Sequence, residues 1–140
     1  MSSDGPFVAM AVLCQRIDRQ PDGTVDVLGI VDGLGISVGE GEDLRAQPAT
    51  IALTALVALR AGQRRGPYTV RVQGLFPSGL PGPSVSSRVF FTDEAPAATL
   101  TVPLDLEVQE GGVYRFDVSG EEGRLTEITL HVHVVREGPE

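Results

Sequence analysis

Two runs of alternating apolar and polar residues near the end of the chain carry its clearest structural signal. In the first run, Tyr114, Phe116 and Val118 share one face. In the second run, one face carries Ile128, Leu130, Val132 and Val134, and the other carries Glu127, Thr129, His131 and His133. The short segment SGEEG, residues 119–123, separates the two runs. Because successive side chains of a strand point to opposite faces, this pattern predicts a β-hairpin with its apolar face in a core.

Segments with a similar pattern occur upstream. They are residues 7–17, 24–31, 49–60, 68–76, 84–92 and 98–108, and the Gly-rich loop 32–43 holds a short extended piece at 35–38. Turns and loops rich in Gly, Pro and Asp separate most of them. Short strands at near-regular spacing, with no convincing helix, predict an all-β fold. We expect an antiparallel β-sandwich of about seven to eight strands, formed as a single domain by residues 1–140.

The segment 49–60, ATIALTALVALR, leaves strand and helix open. Its Ala and Leu residues favour a helix, and Pro48 suits a first helical turn. The residues Ile51, Leu53 and Val57 nevertheless alternate with Thr50, Thr54 and Ala58. A helix here would be apolar on all sides and would need complete burial, which a small all-β domain does not offer. The pattern therefore favours a strand.

Two further strands have predicted positions. Residues 7–17 are apolar on both faces, with Phe7 and Leu13 on one and Met10 and Cys14 on the other. This is typical of a central strand or one covered on both sides. Pro103 lies within 98–108 and cannot donate a ladder hydrogen bond, so that strand is expected at an edge or bulged.

Composition narrows the class of function. The net charge is −8, which argues against nucleic acid or an anionic membrane as a partner. No stretch approaches the ~20 apolar residues of a membrane-spanning helix, and the first residues lack the positive region and cleavage site of a signal peptide. The single cysteine, Cys14, cannot form an internal disulfide. We expect a cytoplasmic protein.

Three parts of the chain together resemble a known family. They are residues 23–33 (GTVDVLGIVDG) after 11–14, residues 66–72 (GPYTVRV), and residues 112–118 (GVYRFDV) with 128–132. The chain is similar to small bacterial β-sandwich proteins of unknown function, and its closing hairpin resembles the last strands of immunoglobulin-like and fibronectin-like domains. The resemblance implies an immunoglobulin-like fold and a bacterial cytoplasmic setting. It carries no catalytic residue to this chain.

Histidines offer one candidate metal site. His131 and His133 are at i and i+2 on one face of a predicted strand, roughly 7 Å apart by strand rise, and Glu127 lies further along that face. A His-x-His pair holds zinc when further ligands converge on it. The competing interpretation is an exposed polar sheet face, and it is favoured because no other ligand cluster accompanies the pair. We predict no cofactor and no enzymatic activity, since no nucleophile motif accompanies Cys14 or the histidines either.

Charged residues give a candidate interaction site. Arg60, Arg64 and Arg65 form a basic cluster at a predicted hairpin tip. Acidic residues of the loop 32–43, namely Glu40, Glu42 and Asp43, could receive this tip from a neighbouring copy and build a homo-oligomer. The alternative is ordinary surface charge that keeps the protein soluble.

The predicted function follows from these candidates. We expect a non-enzymatic module for protein–protein interaction or self-assembly that uses edge strands such as 98–108 and the Arg64–Arg65 tip. The alternative is a sandwich that binds a small ligand or a carbohydrate, which would need an aromatic platform, although aromatic residues are only 5% of the chain. An enzyme is a third, disfavoured class. Phe90 and Phe91 are consecutive, so one of them should point away from the core and favour a partner surface.

Overall fold

A computed structural model describes residues 5–136, and these residues form strands and connecting turns only. The strands are β1 (Phe7–Arg19), β2 (Val25–Val31), β3 (Gly33–Val38), β4 (Ala49–Arg60), β5 (Gly66–Leu75), β6 (Pro81–Phe91), β7 (Ala97–Val108), β8 (Gly112–Gly120) and β9 (Gly123–Arg136). Within that range, no helix is long and apolar enough to cross a membrane. The all-β prediction is confirmed.

The strands form two sheets that face each other across one core. Sheet one has the order β2-β1-β4-β7, and sheet two has the order β3-β9-β8-β5-β6. Neighbouring strands are antiparallel, except that β3 runs parallel to β9. The predicted antiparallel sandwich is therefore confirmed, with nine strands in residues 5–136 instead of seven or eight.

The strand order is that of an immunoglobulin-like sandwich. In that fold the first, second and fifth strands share one sheet, and the third, sixth and seventh share the other. Here β1, β4 and β7 take the first set of positions, and β5, β8 and β9 take the second, with β6 added beside β5. Tyr114, near the start of β8, donates from Oη to the carbonyl oxygen of Glu110 at 2.6 Å. This is the tyrosine corner that recurs in immunoglobulin-like domains.

The core consists of the inward faces of both sheets. The predicted inner residues of the closing hairpin are there, with Phe116, Val118 and Leu130 each 0% exposed. In β4 the inward residues are Leu53, Ala55, Val57 and Leu59. β4 pairs with β1 on one side and β7 on the other. Hydrogen bonding on both edges and burial of one face outweigh the helix propensity of Ala and Leu, so the strand prediction is confirmed.

Two predictions need correction. Only residues 35–38 of the Gly-rich loop were expected to be extended, yet β3 spans Gly33–Val38 and extends sheet two, because Leu34 and Ile36 pack against the core. β1 has a strand on each side, as expected, but the outer face of sheet one is only partly covered, so Phe7 and Met10 are exposed. The edge position predicted for 98–108 is confirmed, since β7 ends sheet one and Pro103 is exposed.

Candidate functional site

The two outer faces of the sandwich differ in character. The outer face of sheet two is polar, and it carries Thr69, Arg71, Gln73, Arg88, Arg115, Asp117, Glu127, Thr129, His131 and His133. The outer face of sheet one carries apolar side chains along β1 and β4. The solvated face of a sheet is normally polar, because polar side chains alternate along each strand with the apolar side chains of the core face. The outer face of sheet one is therefore the unusual surface of this domain.

Several of these apolar side chains are accessible to solvent. Phe7 is 48% exposed, Met10 is 41% exposed and Ile30 is 62% exposed. Phe7 is in register with Arg60, and Met10 with Ala58, whereas Ile30 of β2 lies opposite Cys14. Val12, half-buried, lies between Met10 and Cys14 on the same face. We call Phe7, Met10, Val12 and Ile30 the apolar stripe.

A β-bulge places two of these residues on the same face. Phe7 and Met10 are three residues apart, so a regular strand would point them to opposite sides. The register between β1 and β4 shifts between Val8 and Met10, which leaves Ala9 as the extra residue. One inserted residue restores Phe7 and Met10 to a common face. Sequence alternation alone grouped Phe7 with Leu13, so it could not have found the stripe.

The rest of this face is covered by the chain itself. β1 pairs with β4 only as far as Cys14 and Thr54, and beyond that point it pairs with β2 alone. Arg19 then donates from Nη2 to Thr101 Oγ1 of β7 at 3.3 Å. Thr101 is in register with Leu56 of β4, which is in register with Val12 of β1. Residues 15–29, which we call the hairpin arm, therefore turn back across the outer face of sheet one.

Burial agrees with this course of the arm. Leu56 and Cys14 point outward from sheet one, yet their side chains are 2% and 0% exposed. In the arm, Ile17, Val25 and Val27 are half-buried.

Gly29, at the base of the arm, has a φ of 68°, and a Cβ there would lie 2.6 Å from Gln15 Oε1. A residue with a side chain would be strained at this position.

Cys14 is an inert thiol in this setting. Its Sγ lies 3.5 Å from the carbonyl oxygen of Thr54. Burial raises the pKa of the Cys14 thiol above its ordinary value, and a backbone hydrogen bond at Arg16 opposes this only in part. A higher pKa leaves less of the nucleophilic thiolate at neutral pH.

The arginine cluster lies in the connection from β4 of sheet one to β5 of sheet two, so the prediction of a hairpin tip is wrong, and Arg64 and Arg65 are paired within the chain. Arg64 forms ion pairs with Glu121 and Glu122 in the β8–β9 turn. Its guanidinium also lies 5.0 Å from the centre of the Tyr68 ring. Arg65 pairs with Asp93 at 2.7 Å. The partners of Arg64 and Arg65 are distant in sequence, so no local pattern pointed to them.

The predicted acidic loop has its own local contacts. Glu42 Oε1 accepts a hydrogen bond from the Gly39 amide at 2.6 Å, and Asp43 accepts one from the Arg45 amide at 3.0 Å. Glu40 is exposed. Arg60 is exposed as well, at the end of β4. No ion pair within residues 5–136 joins this loop to Arg60, Arg64 or Arg65, and a contact between neighbouring copies stays a prediction.

The histidine pair lies on the polar face of sheet two. His131 and His133 are exposed on β9, beside Gly33 and Gly35 of β3 in parallel register. They line an open groove of about 390 Å³ together with Gly111, Gly112 and Val113. Glu127 is four residues from His131 and lies 3.4 Å from Arg124. No group of three or more His, Cys, Asp or Glu side chains converges within residues 5–136.

A second concave surface lies where the edges of the two sheets meet. It has a volume of about 490 Å³ and is lined by Thr50, Phe76, Pro81, Gly82, Pro83, Asp105 and Glu107. Phe76 also packs edge-on against Tyr114, with the ring centres 5.9 Å apart. The cleft therefore has one fixed aromatic ring and two carboxylates.

The consecutive phenylalanines point to opposite sides, as predicted. Phe91 is 1% exposed and belongs to the core, whereas Phe90 is 63% exposed on the outer face of sheet two. Phe90 is in register with Pro67 of β5. It lies on the face opposite to the apolar stripe, and its surroundings on sheet two are mostly polar.

Comparison with known proteins finds similarity among solved structures and none among family models or curated proteins. No family model and no curated protein matches the chain. Among solved structures, an immunoglobulin-like protein from Pseudomonas aeruginosa is similar, with 11% sequence identity and a TM-score of 0.44. The alignment covers 94% of this chain and 100% of that chain.

Proposed function

We propose that this immunoglobulin-like domain is a non-catalytic module that binds another protein through the apolar stripe. The observation that carries the proposal is the exposure of Phe7, Met10 and Ile30 on one side of sheet one. Contiguous exposed apolar side chains are typical of interaction surfaces, whereas isolated ones are common everywhere on proteins.

The sheet edge beside the stripe supports the same proposal. β2 is an edge strand of sheet one, and its sequence Val25–Val31 contains no Pro. The edge strands β7 and β6 carry prolines, Pro103 in β7 and Pro81 and Pro83 in β6, and a proline cannot donate a ladder hydrogen bond. An unprotected edge can accept a strand from a partner through backbone hydrogen bonds. Ile30 belongs to both the edge and the stripe.

The arginine cluster is a weaker candidate for this role. Arg64 and Arg65 are already paired with Glu121, Glu122 and Asp93. A partner would have to replace these pairs, and exposed ion pairs contribute only about 0–1 kcal/mol to binding or stability. The stripe instead offers apolar area that is still exposed to water, and its burial by a partner would be favourable.

Site-specific photo-crosslinking tests the proposal. A photoreactive phenylalanine derivative replaces Met10, and the protein is irradiated in the cells that naturally produce it. We expect one dominant adduct, identified by mass spectrometry as a single protein species or as a second copy of this chain. The same derivative at Thr129, on the polar face of sheet two, should give no such adduct.

A matched pair of variants shows whether the stripe itself is responsible. Ile30→Glu introduces a charge into the stripe, and Phe90→Glu introduces the same charge at a site of similar exposure on the opposite sheet. The adduct at position 10 should be lost in Ile30→Glu and retained in Phe90→Glu. Equal adduct yields in both variants, or equal yields from positions 10 and 129, would exclude the stripe as the binding surface.

Binding of a small polar ligand is a second candidate function, favoured by the cleft beside Phe76. A volume of about 490 Å³ lies within the usual size of ligand sites. An aromatic face with nearby carboxylates is suited to a ligand that has both apolar and hydroxyl surfaces. Mono- and disaccharides can be titrated into the protein while the NMR signals of Phe76 are followed, with the Phe76→Leu variant as the control. If no signal shifts at millimolar saccharide, binding at this cleft is excluded.

A further inference from the structure

We propose that His131 and His133 form a two-imidazole chelating site for a divalent first-row transition metal. The site lies on the outer face of sheet two, whereas the apolar stripe lies on the outer face of sheet one. The inference is therefore independent of the protein-binding function proposed above.

Strand geometry brings the two rings to one side. Both residues belong to a regular part of β9, where the parallel register with β3 is unbroken from Gly33–His131 to Val38–Arg136. Residues at i and i+2 share a face with Cα atoms about 7 Å apart. Both side chains are exposed to solvent. The two rings can therefore turn toward a common ion at the usual metal–nitrogen distance of about 2.0–2.1 Å.

The neighbouring strand leaves room for the ion. Gly33 and Gly35 of β3 are in parallel register with His131 and His133, so β3 places no side chain beside either ring. A Cβ at Gly35 would meet no atom within 4 Å, which shows that this side of the groove is open. On the other side, Val113 of β8 lies opposite His131. The imidazoles are flanked by space and by one apolar side chain.

Among residues 5–136, no side chain competes for the two imidazoles. None of the side-chain hydrogen bonds and ion pairs within residues 5–136 involves either histidine; those further along β9 join Arg124 to Asp117 and to Glu127. The ligand positions on both rings are thus available. Glu127, the third residue of the sequence-based candidate, is paired with Arg124 and is not part of the proposed site.

The donor set indicates the class of metal. Two neutral imidazoles suit Cu²⁺, Ni²⁺ and Zn²⁺. Among divalent first-row metals, we expect Cu²⁺ to bind most tightly and Mn²⁺ least tightly. Water fills the remaining coordination positions, so the site is open. Once one imidazole holds the ion, the second is present at high effective concentration, which makes the pair bind more tightly than either ring alone.

Isothermal titration of the full chain with Ni²⁺, after removal of any histidine tag, tests the site. We expect one ion per chain. His131→Ala and His133→Ala should each weaken binding by at least tenfold, about 1.4 kcal/mol. Thr129→Ala, on the same face of the same strand, is the matched control and should change the affinity by less than about twofold.

Electron paramagnetic resonance of the Cu²⁺ complex gives a second reading. Coupling to two imidazole nitrogens is expected in the natural chain, and to one in either histidine variant. The proposal is overturned if Ni²⁺ binds the natural chain no more tightly than the variants. It is also overturned if only one of the two histidines affects binding, because that result indicates a single-ligand surface site.

Discussion

Replacing Gly120 with alanine would test how closely the β8–β9 turn packs against the end of the core. A Cβ at this position would overlap Tyr68 Oη and lie 2.7 Å from Cζ and 2.8 Å from Cε2. Tyr68 is only 1% exposed, so its ring has no free space to enter. The φ of Gly120 is not in the positive range, so the expected cost arises from the overlap and not from backbone strain.

The expected loss of stability follows from the hydrogen bonds and the cation–π contact that Tyr68 would lose if its ring moved. Its Oη donates to Glu122 Oε1 at 3.0 Å and accepts from the Glu121 amide at 3.1 Å. Two hydrogen bonds contribute about 0.5–1.5 kcal/mol each. The Arg64 guanidinium above the ring contributes about 0.5–1 kcal/mol. Alanine offsets about 0.4–1 kcal/mol of this by restricting the unfolded chain. We expect the free energy of unfolding to fall by about 0.5–3.5 kcal/mol.

Urea unfolding measures this change, and a second glycine provides the control. Circular dichroism reports the sheets, and tyrosine fluorescence is usable because the chain has two Tyr and no Trp. Gly35→Ala makes the same chemical change in a strand, but its Cβ meets no atom within 4 Å. The control should be as stable as the natural chain or up to about 1 kcal/mol more stable, because alanine restricts the unfolded chain without any overlap in the folded one. A similar loss in both variants, or no loss in Gly120→Ala, would refute the argument.

Two further predictions concern the hairpin arm over sheet one. Leu56→Ala should lower the free energy of unfolding by about 2–5 kcal/mol, as for a core residue, because Leu56 points outward from sheet one and is nevertheless only 2% exposed. Urea unfolding measures this change. A loss below about 1 kcal/mol would show that the arm does not cover Leu56. Cys14 should not react with a disulfide reagent in the native protein at about pH 8, since it is inaccessible and burial raises its pKa, and it should react fully in urea. Rapid native labelling of Cys14 would contradict the covered position.

The sequence was sufficient for the parts of the fold that depend on a period of two. The closing hairpin, β5 and β7 were predicted with their inner faces, because burial of one face fixes the alternation along each strand. β4 was predicted for the same reason against its helix propensity. In each case the signal lies within a single segment, and the partner strand only has to supply an apolar surface.

The features that sequence reasoning missed depend on pairing between distant segments. β3 alternates Leu34, Ile36 and Val38 with small residues, but its glycines weaken the strand signal, and its partner β9 is about one hundred residues away in the chain. The bulge at Ala9 becomes visible only in the register between β1 and β4. The apolar stripe was therefore not predicted, since the exposed Phe that the sequence indicated, Phe90, lies on the opposite face.

The hairpin arm explains why β1 is apolar on both faces. A two-sheet sandwich needs apolar residues only on its inner faces, so Val12, Cys14 and Leu56 would be misplaced if the outer face of sheet one were open to water. The arm crosses toward β7, as the bond from Arg19 to Thr101 shows, and it accounts for the burial of Cys14 and Leu56. It does not account for Phe7, Met10 and Ile30, which keep 41% to 62% of their surface exposed. The same apolar face is thus divided into a part that the chain covers and a part that it leaves exposed, and the exposed part is where a partner would complete the cover.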